Sequence, residues 1–306
     1  MHEGSKKAII AAFAANLAIA LAKLVGFLFT GAASMLAEAV HSGADTTNQG
    51  LLFLGGARAR KTATSDHPFG YGRERYFWAF VVALVIFSLG SMFALFEGIE
   101  KLRTPHELES VGWAVGILLI AMGCEGYSLR TAIKESSHSK GPESWWTFIR
   151  RSKSPELPVV LLEDTGALLG LVLALVGLAL AEITGNPRFD AVGSVAIGIL
   201  LGAIAITLVI EMKSLLIGEA ATPATVASIR RAMESCDRVQ KVIHLRTEHL
   251  GPDELLVGAK LAFDTDLDVA GLAKAIDDAE VRIRAAVPEA RVIYIEPDVA
   301  REPAAT

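Results

Sequence analysis

Long apolar blocks broken by short polar stretches occupy the first two thirds of the chain, and a finer periodicity takes over after Gly218. The blocks at roughly 8–30, 34–57, 76–100, 111–133, 157–182 and 188–212 each suit a hydrocarbon core, which takes about 20 mostly apolar residues to cross. They predict six membrane-spanning helices. The second block is the least hydrophobic, the fifth contains Glu163-Asp164, and the first contains Lys23. After Gly218, residues 223–236 have helical spacing with Thr222 as N-cap. Residues 239–249 and 254–263 read as strands around the turn Leu250-Gly-Pro-Asp253. Helical spacing returns at 268–287, and Arg291-Val-Ile-Tyr-Ile295 reads as a closing strand. The predicted fold class is an all-α six-helix transmembrane domain over 1–217, followed by a small α+β domain over 218–306 with the ferredoxin-like order α-β-β-α-β.

Composition supports that division. Hydrophobic residues make up 52% of 306, with a mean hydropathy of +0.43, too apolar for an ordinary soluble chain. Lys6 and Lys7 precede the first block as in a secretory leader. That block is longer than a leader's apolar core and holds Asn16 and Lys23, so it is read as a retained span. Lys and Arg collect on one side: Lys6, Lys7, then Arg58 to Arg75, Arg130 to Lys153, and Lys213. The other side has only Lys101, Arg103 and Arg188. Both termini are therefore expected in the cytoplasm, of a plasma or inner membrane if the chain is bacterial. External turns fall near 31–33, 101–110 and 183–187. Between the fourth and fifth blocks, Trp145 and Trp146 beside Arg150 and Arg151 suit a short helix at the lipid headgroups, or else a linker. With a net charge of −5 and basic residues grouped in loops, nucleic acid is not an expected partner. Cys124 and Cys236 lie far apart and suggest neither a disulfide framework nor a thiolate metal site.

The chemistry lies in the apolar blocks. Glu38, His41, Asp45 and Asn48 are spaced by three, four and three, which places them on one helical stripe. His41 and Asp45, four apart and near mid-membrane, can both reach one metal ion. In the fifth block Asp164 sits among Leu161, Leu162 and Ala167. Glu163 points about 100° away from it, either as a further ligand or toward a basic group such as Lys23 or the cytoplasmic lobe. A buried histidine is often only structural, but intramembrane charge needs a partner or a function, and two spans supply carboxylates. Imidazole with carboxylates suits Zn²⁺ and also Mn²⁺, Fe²⁺ or Co²⁺, while the lack of a nearby thiolate argues against Cu⁺. An imidazole must be neutral to ligate, and its ordinary pKa is about 6.5. Metal and protons therefore compete for the same groups, which is the basis of an antiporter.

KLVGFLFTGAASMLAEAVHSGAD (23–45), DHPFGYGRERY (66–76), LLEDTGALLG (161–170), NPRFDAVGSVAIG (186–198) and the stretch from VIHLRTEHLGP to RVIYIEPD (242–298) resemble the cation diffusion facilitators, proton-coupled divalent-metal transporters. The resemblance covers nearly the whole chain. It implies His41, Asp45 and Asp164 as transport-site ligands, Zn²⁺ or a similar cation as cargo, H⁺ as coupling ion, no prosthetic group, and a homodimer. The family's usual fourth ligand, four residues before Asp164, is replaced by Val160; Glu163, Asn48 or water remain open for that role. Two accessory sites depart from the family pattern. His67 has Tyr71 as its partner position, and His244 and His249 face a last strand reading Tyr294-Ile-Glu296. The resemblance also places Arg73 among charge contacts near the dimer interface. A membrane metalloenzyme and a metal sensor are the competing classes. No HExxH is present, since His106-Glu-Leu-Glu-Ser110 lacks the second histidine, and no catalytic motif marks the C-terminal domain.

Overall fold

The computed structural model describes residues 3–105 and 111–299. Two compact units emerge: residues 1–57 with 76–213, and residues 58–75 with 214–306.

Among the described residues, the first unit contains six long helical runs, one over each apolar block. These are α1 (Glu3–Thr30), α2 (Ala33–Arg58), the run α3 (Glu74–Val85) to α4 (Met92–Arg103), α5 (Val111–Lys140), α7 (Glu156–Thr184) and α8 (Arg188–Ile217). The last four runs are long and apolar enough to cross a membrane. Helix α2 falls short of that measure because of its own polar stripe, and α1 contributes a shorter apolar helix, Leu17–Thr30. The turn His106–Ser110 lies outside the described residues. Between α3 and α4 the helix widens into a π turn, Ile86–Ser91, which the periodicity does not predict. There Ser91 Oγ donates to Gly198 O of α8 at 2.7 Å, and Ser194 Oγ donates back to Ala94 O at 3.0 Å. Hydroxyls satisfied on a neighbouring backbone bind helices where water is excluded. Helices α7 and α8 meet through glycines: a Cβ at Gly177 would lie 3.1 Å from Phe189 O, and one at Gly193 3.2 Å from Leu173 O. Gly185, at φ 64°, ends α7, and Asn186 Oδ1 then accepts from Arg188 N at the start of α8.

The stretch read as an interfacial helix or linker is a helix, α6 (Trp145–Arg151). Ser144 caps it by accepting from Thr147 N. Trp146 is exposed, while Ile149 packs with Ala132 and Leu161.

The second unit has the order α9 (Pro223–Glu234), β1 (Val239–Gly251), β2 (Glu254–Phe263), α10 (Val269–Ala286) and β3 (Val292–Asp298). Strand β2 is central, antiparallel to β1 and parallel to β3. Thr222 and Asp268 cap the two helices, accepting from Thr225 N and Gly271 N. Their apolar faces close the core on one side of the sheet, with Ile229, Met233, Val257, Leu261, Ala279 and Ile283 buried. The segment 58–75 belongs to this unit. Arg73 pairs with Glu248, Arg75 Nη1 approaches Asp253 Oδ2 to 2.8 Å, and Gly72 lies against Leu250 O.

Candidate cation site

Helix α2 presents its stripe to the bundle interior. Glu38, His41, Asp45 and Asn48 are all buried. At 1.5 Å per residue, His41 lies about 12 Å and Asp45 about 18 Å from the Ala33 end of a helix about 39 Å long. His41 Nδ1 approaches Asp45 Oδ1 to 3.4 Å without hydrogen-bond geometry. Both ring nitrogens of His41, Asp45 Oδ1 and Asn48 Oδ1 have no hydrogen-bond partner. Native interiors rarely tolerate such groups without a ligand or a role.

Helix α7 runs antiparallel to α2. Asn48 Nδ2 donates to Glu163 Oε1 at 3.3 Å, while farther along the pair a Cβ on Gly170 would lie 2.5 Å from Glu38 Oε1. The carboxyl groups of Asp45 and Glu163 face each other between the helices. Asp164 turns toward α5, where Ser128 Oγ donates to its Oδ2 at 2.8 Å. The structure thus brings together His41 and Asp45, and Glu163 with both Asp45 and Asn48, and it holds Asp164 alongside against α5. Among the described residues, no three His, Cys, Asp or Glu side chains close into a ready metal cage.

Two features were not legible in the apolar pattern. Glu125, in the fourth block and one turn before Ser128, is buried within electrostatic range of Asp164, Glu38 and Lys23. A lone carboxylate in an apolar run was the available signal. Lys23 is fully buried, and its Nζ donates to Glu38 Oε2 at 3.0 Å and to Ser42 Oγ at 2.6 Å. Its partner is therefore on α2, and Glu163 takes Asn48 instead.

The accessory histidines stay dispersed. The His67 ring stands edge-on to Tyr71 at 4.6 Å, with Nδ1 2.8 Å from Asp66 O. His244 pairs in register with Lys260, and His249 is buried with Nδ1 3.4 Å from Gly251 O.

Comparison with known proteins gives the arrangement its context. Residues 9–217 match the family model described as the cation efflux transmembrane domain, and residues 221–298 match that of the cation efflux protein cytoplasmic domain. A protein named proton-coupled zinc antiporter SLC30A9, mitochondrial, from Xenopus laevis is 36% identical over 86% of this chain and 47% of its own length. Metal tolerance protein C4 of Arabidopsis thaliana is 29% identical over 87% of this chain and 58% of its own. Magnetosome protein MamB of Paramagnetospirillum magneticum is 24% identical over 93% and 90%. The chain thus spans about half the length of the zinc-antiporter relatives. With both domain models matched in order along its length, the chain is a multi-pass membrane protein that belongs to the cation efflux, or cation diffusion facilitator, family.

Proposed function

We propose that this protein exports Zn²⁺ from the cytoplasm in exchange for protons, through a site that His41 and Asp45 of α2 form with the α7 pair Glu163 and Asp164. The observation that carries this reading is an imidazole buried on α2 with both nitrogens unpartnered, 3.4 Å from Asp45, whose carboxyl group in turn faces Glu163 of α7. Cation binding would supply the partner these atoms lack. His41 and Asp45 hold the ion from one side. Asp164 joins by exchanging Ser128 for the ion, and Glu163 or the Asn48 amide oxygen completes the set. Mn²⁺, Fe²⁺ and Co²⁺ accept the same donors, so Zn²⁺ is favoured by imidazole ligation and by the zinc-antiporter relatives.

In this reading residues 1–217 form a six-span transport domain with both termini cytoplasmic, as the one-sided Lys and Arg distribution supports. Residues 218–306 form a cytoplasmic domain that joins two copies and, with its histidines dispersed, holds no tight metal cluster. Protons are carried outward to inward by the same donors, because each must lose its proton to ligate. The test is zinc uptake into inverted vesicles under an imposed pH gradient, acid inside. Uptake should accelerate with the gradient, collapse with a protonophore, and vanish in His41→Ala and Asp45→Ala. Uptake at the wild-type rate in both variants would place the site elsewhere.

A further inference from the structure

The Lys23–Glu38 pair stands apart from the donors just described. Lys23 is seven residues from the end of α1 and Glu38 five from the start of α2, so both lie between His41 and the turn at Gly31, about 7–10 Å inside that end. The ammonium donates to Glu38 Oε2 and to Ser42 Oγ, tying α1 to α2. Across from it, α7 carries glycine at 170, where any side chain would collide with Glu38 Oε1. That oxygen is buried and has no hydrogen-bond partner. Three helices thus converge on one charged plug. Nearer the same end, Asp190 of α8 accepts from Ser34 and Lys101 donates to Gly31 O. Lys23 and Glu38 are 0% exposed, whereas Asp45, Glu163, Asp164 and Glu125 retain 5–8%. On the Gly31 side of the site the plug is therefore fully buried.

We infer that the Lys23–Glu38–Ser42 contact, seated against Gly170, is the gate that closes the cation site toward the Gly31 end of the bundle and must separate for a cation to leave that way. A buried ion pair suits this role because it is stable only while both partners meet. Removing one leaves an uncompensated charge and is strongly destabilising to the closed arrangement. Glu38 lies one turn from His41, so when Lys23 swings away its carboxylate is placed to receive a departing divalent ion. Which face of the membrane the gate closes rests on the transport reading above; that it closes the Gly31 end does not.

Accessibility tests the gate without relying on transport. Ala167 is buried on α7, one turn from Asp164 and one turn from Gly170, between site and plug. In full-length protein with Cys124→Ser and Cys236→Ser, Ala167→Cys is exposed to a membrane-impermeant thiol reagent in vesicles of either orientation. With the pair intact, labelling from the Gly31 side should be slow. In Lys23→Ala it should rise by a factor of about ten or more, because one charge of the buried pair is left alone. Glu38→Gln, which keeps shape and loses charge, carries the same expectation should Lys23→Ala fail to accumulate. The charge-swapped double variant, Lys23→Glu with Glu38→Lys, should return labelling toward the slow rate. Fast labelling from the Gly31 side with the pair intact, or unchanged labelling in both single variants, would overturn the gate. Zinc binding by the same background protein, read by calorimetry, is a separate measurement. Binding absent with labelling still gated defeats the transport reading alone; binding present with ungated labelling defeats the gate alone.

Discussion

Replacing His41 by leucine should make the metal-free protein more stable while ending transport. His41 is 1% exposed, neither of its ring nitrogens has a hydrogen-bond partner, and its Nδ1 lies 3.4 Å from Asp45 Oδ1. A neutral imidazole offers one donor and one acceptor, and leaving a buried group of that kind unsatisfied costs about 1–3 kcal/mol. Discounting Nδ1 for its approach to Asp45 leaves one orphaned nitrogen. A leucine of similar bulk removes that penalty and adds apolar contact. For a bundle of this size each kcal/mol moves the melting temperature by about 2–4 °C, so the empty variant should melt several degrees above the wild type. Zinc should reverse the order. A ligand that binds only the folded state at one hundred times its Kd adds about 2.7 kcal/mol, and the variant forfeits that gain. The assay is tryptophan-fluorescence melting of detergent-purified protein in chelator and then in excess zinc. The zinc-induced shift of the wild type should fade on acidification, because the imidazole and carboxylate donors must be deprotonated to ligate. A variant that melts below the wild type in chelator would refute the reasoning, since His41 would then be a satisfied structural residue.

Three further outcomes follow from particular contacts. Asp164→Asn should abolish zinc transport, whereas Glu163→Gln should weaken zinc binding about 10–100-fold, as loss of a supporting group does, and leave slowed transport; the opposite ranking in vesicle uptake would make Glu163 the α7 ligand. Gly72→Ala should loosen segment 58–75 from its hairpin, because the added Cβ would lie 2.7 Å from Leu250 O and 3.2 Å from Gly251 Cα; overpacking of this kind costs about 1–3 kcal/mol, read as faster proteolytic nicking within 58–75, and an unchanged nicking rate would contradict the contact. Burial pushes the Cys236 thiol above its ordinary value of 9.0, with Arg282 opposing and Asp278 and Asp237 adding to the rise. Because the folded state favours the protonated thiol, its contribution to stability is intact below about pH 9 and is lost as pH rises beyond the folded value, so Cys236 should resist alkylation at pH 8 until the domain unfolds, and prompt alkylation of native protein would show the burial to be transient.

What the chain's own pattern determined was the set of elements and the polar stripe on α2. Apolar blocks of membrane length can only be helices, since backbone groups away from water must be satisfied within the segment, and all six blocks carry one. A three-four-three spacing puts Glu38, His41, Asp45 and Asn48 on one stripe wherever the helix goes. Alternation around Gly251-Pro-Asp, with Thr222 as a cap, likewise specified the α-β-β-α-β unit. Partners were another matter, because they are set by how helices distant in sequence rotate against each other. Periodicity could not say that Lys23 would meet Glu38 rather than Glu163, that Asp164 would turn to Ser128, or that Glu125 would join the polar interior. Nor could it show the π turn at Ile86–Ser91 or the docking of segment 58–75 on the β1–β2 hairpin. Each of those depends on a side chain finding the nearest group able to satisfy it, and only the packed bundle and the folded C-terminal unit decide which group that is.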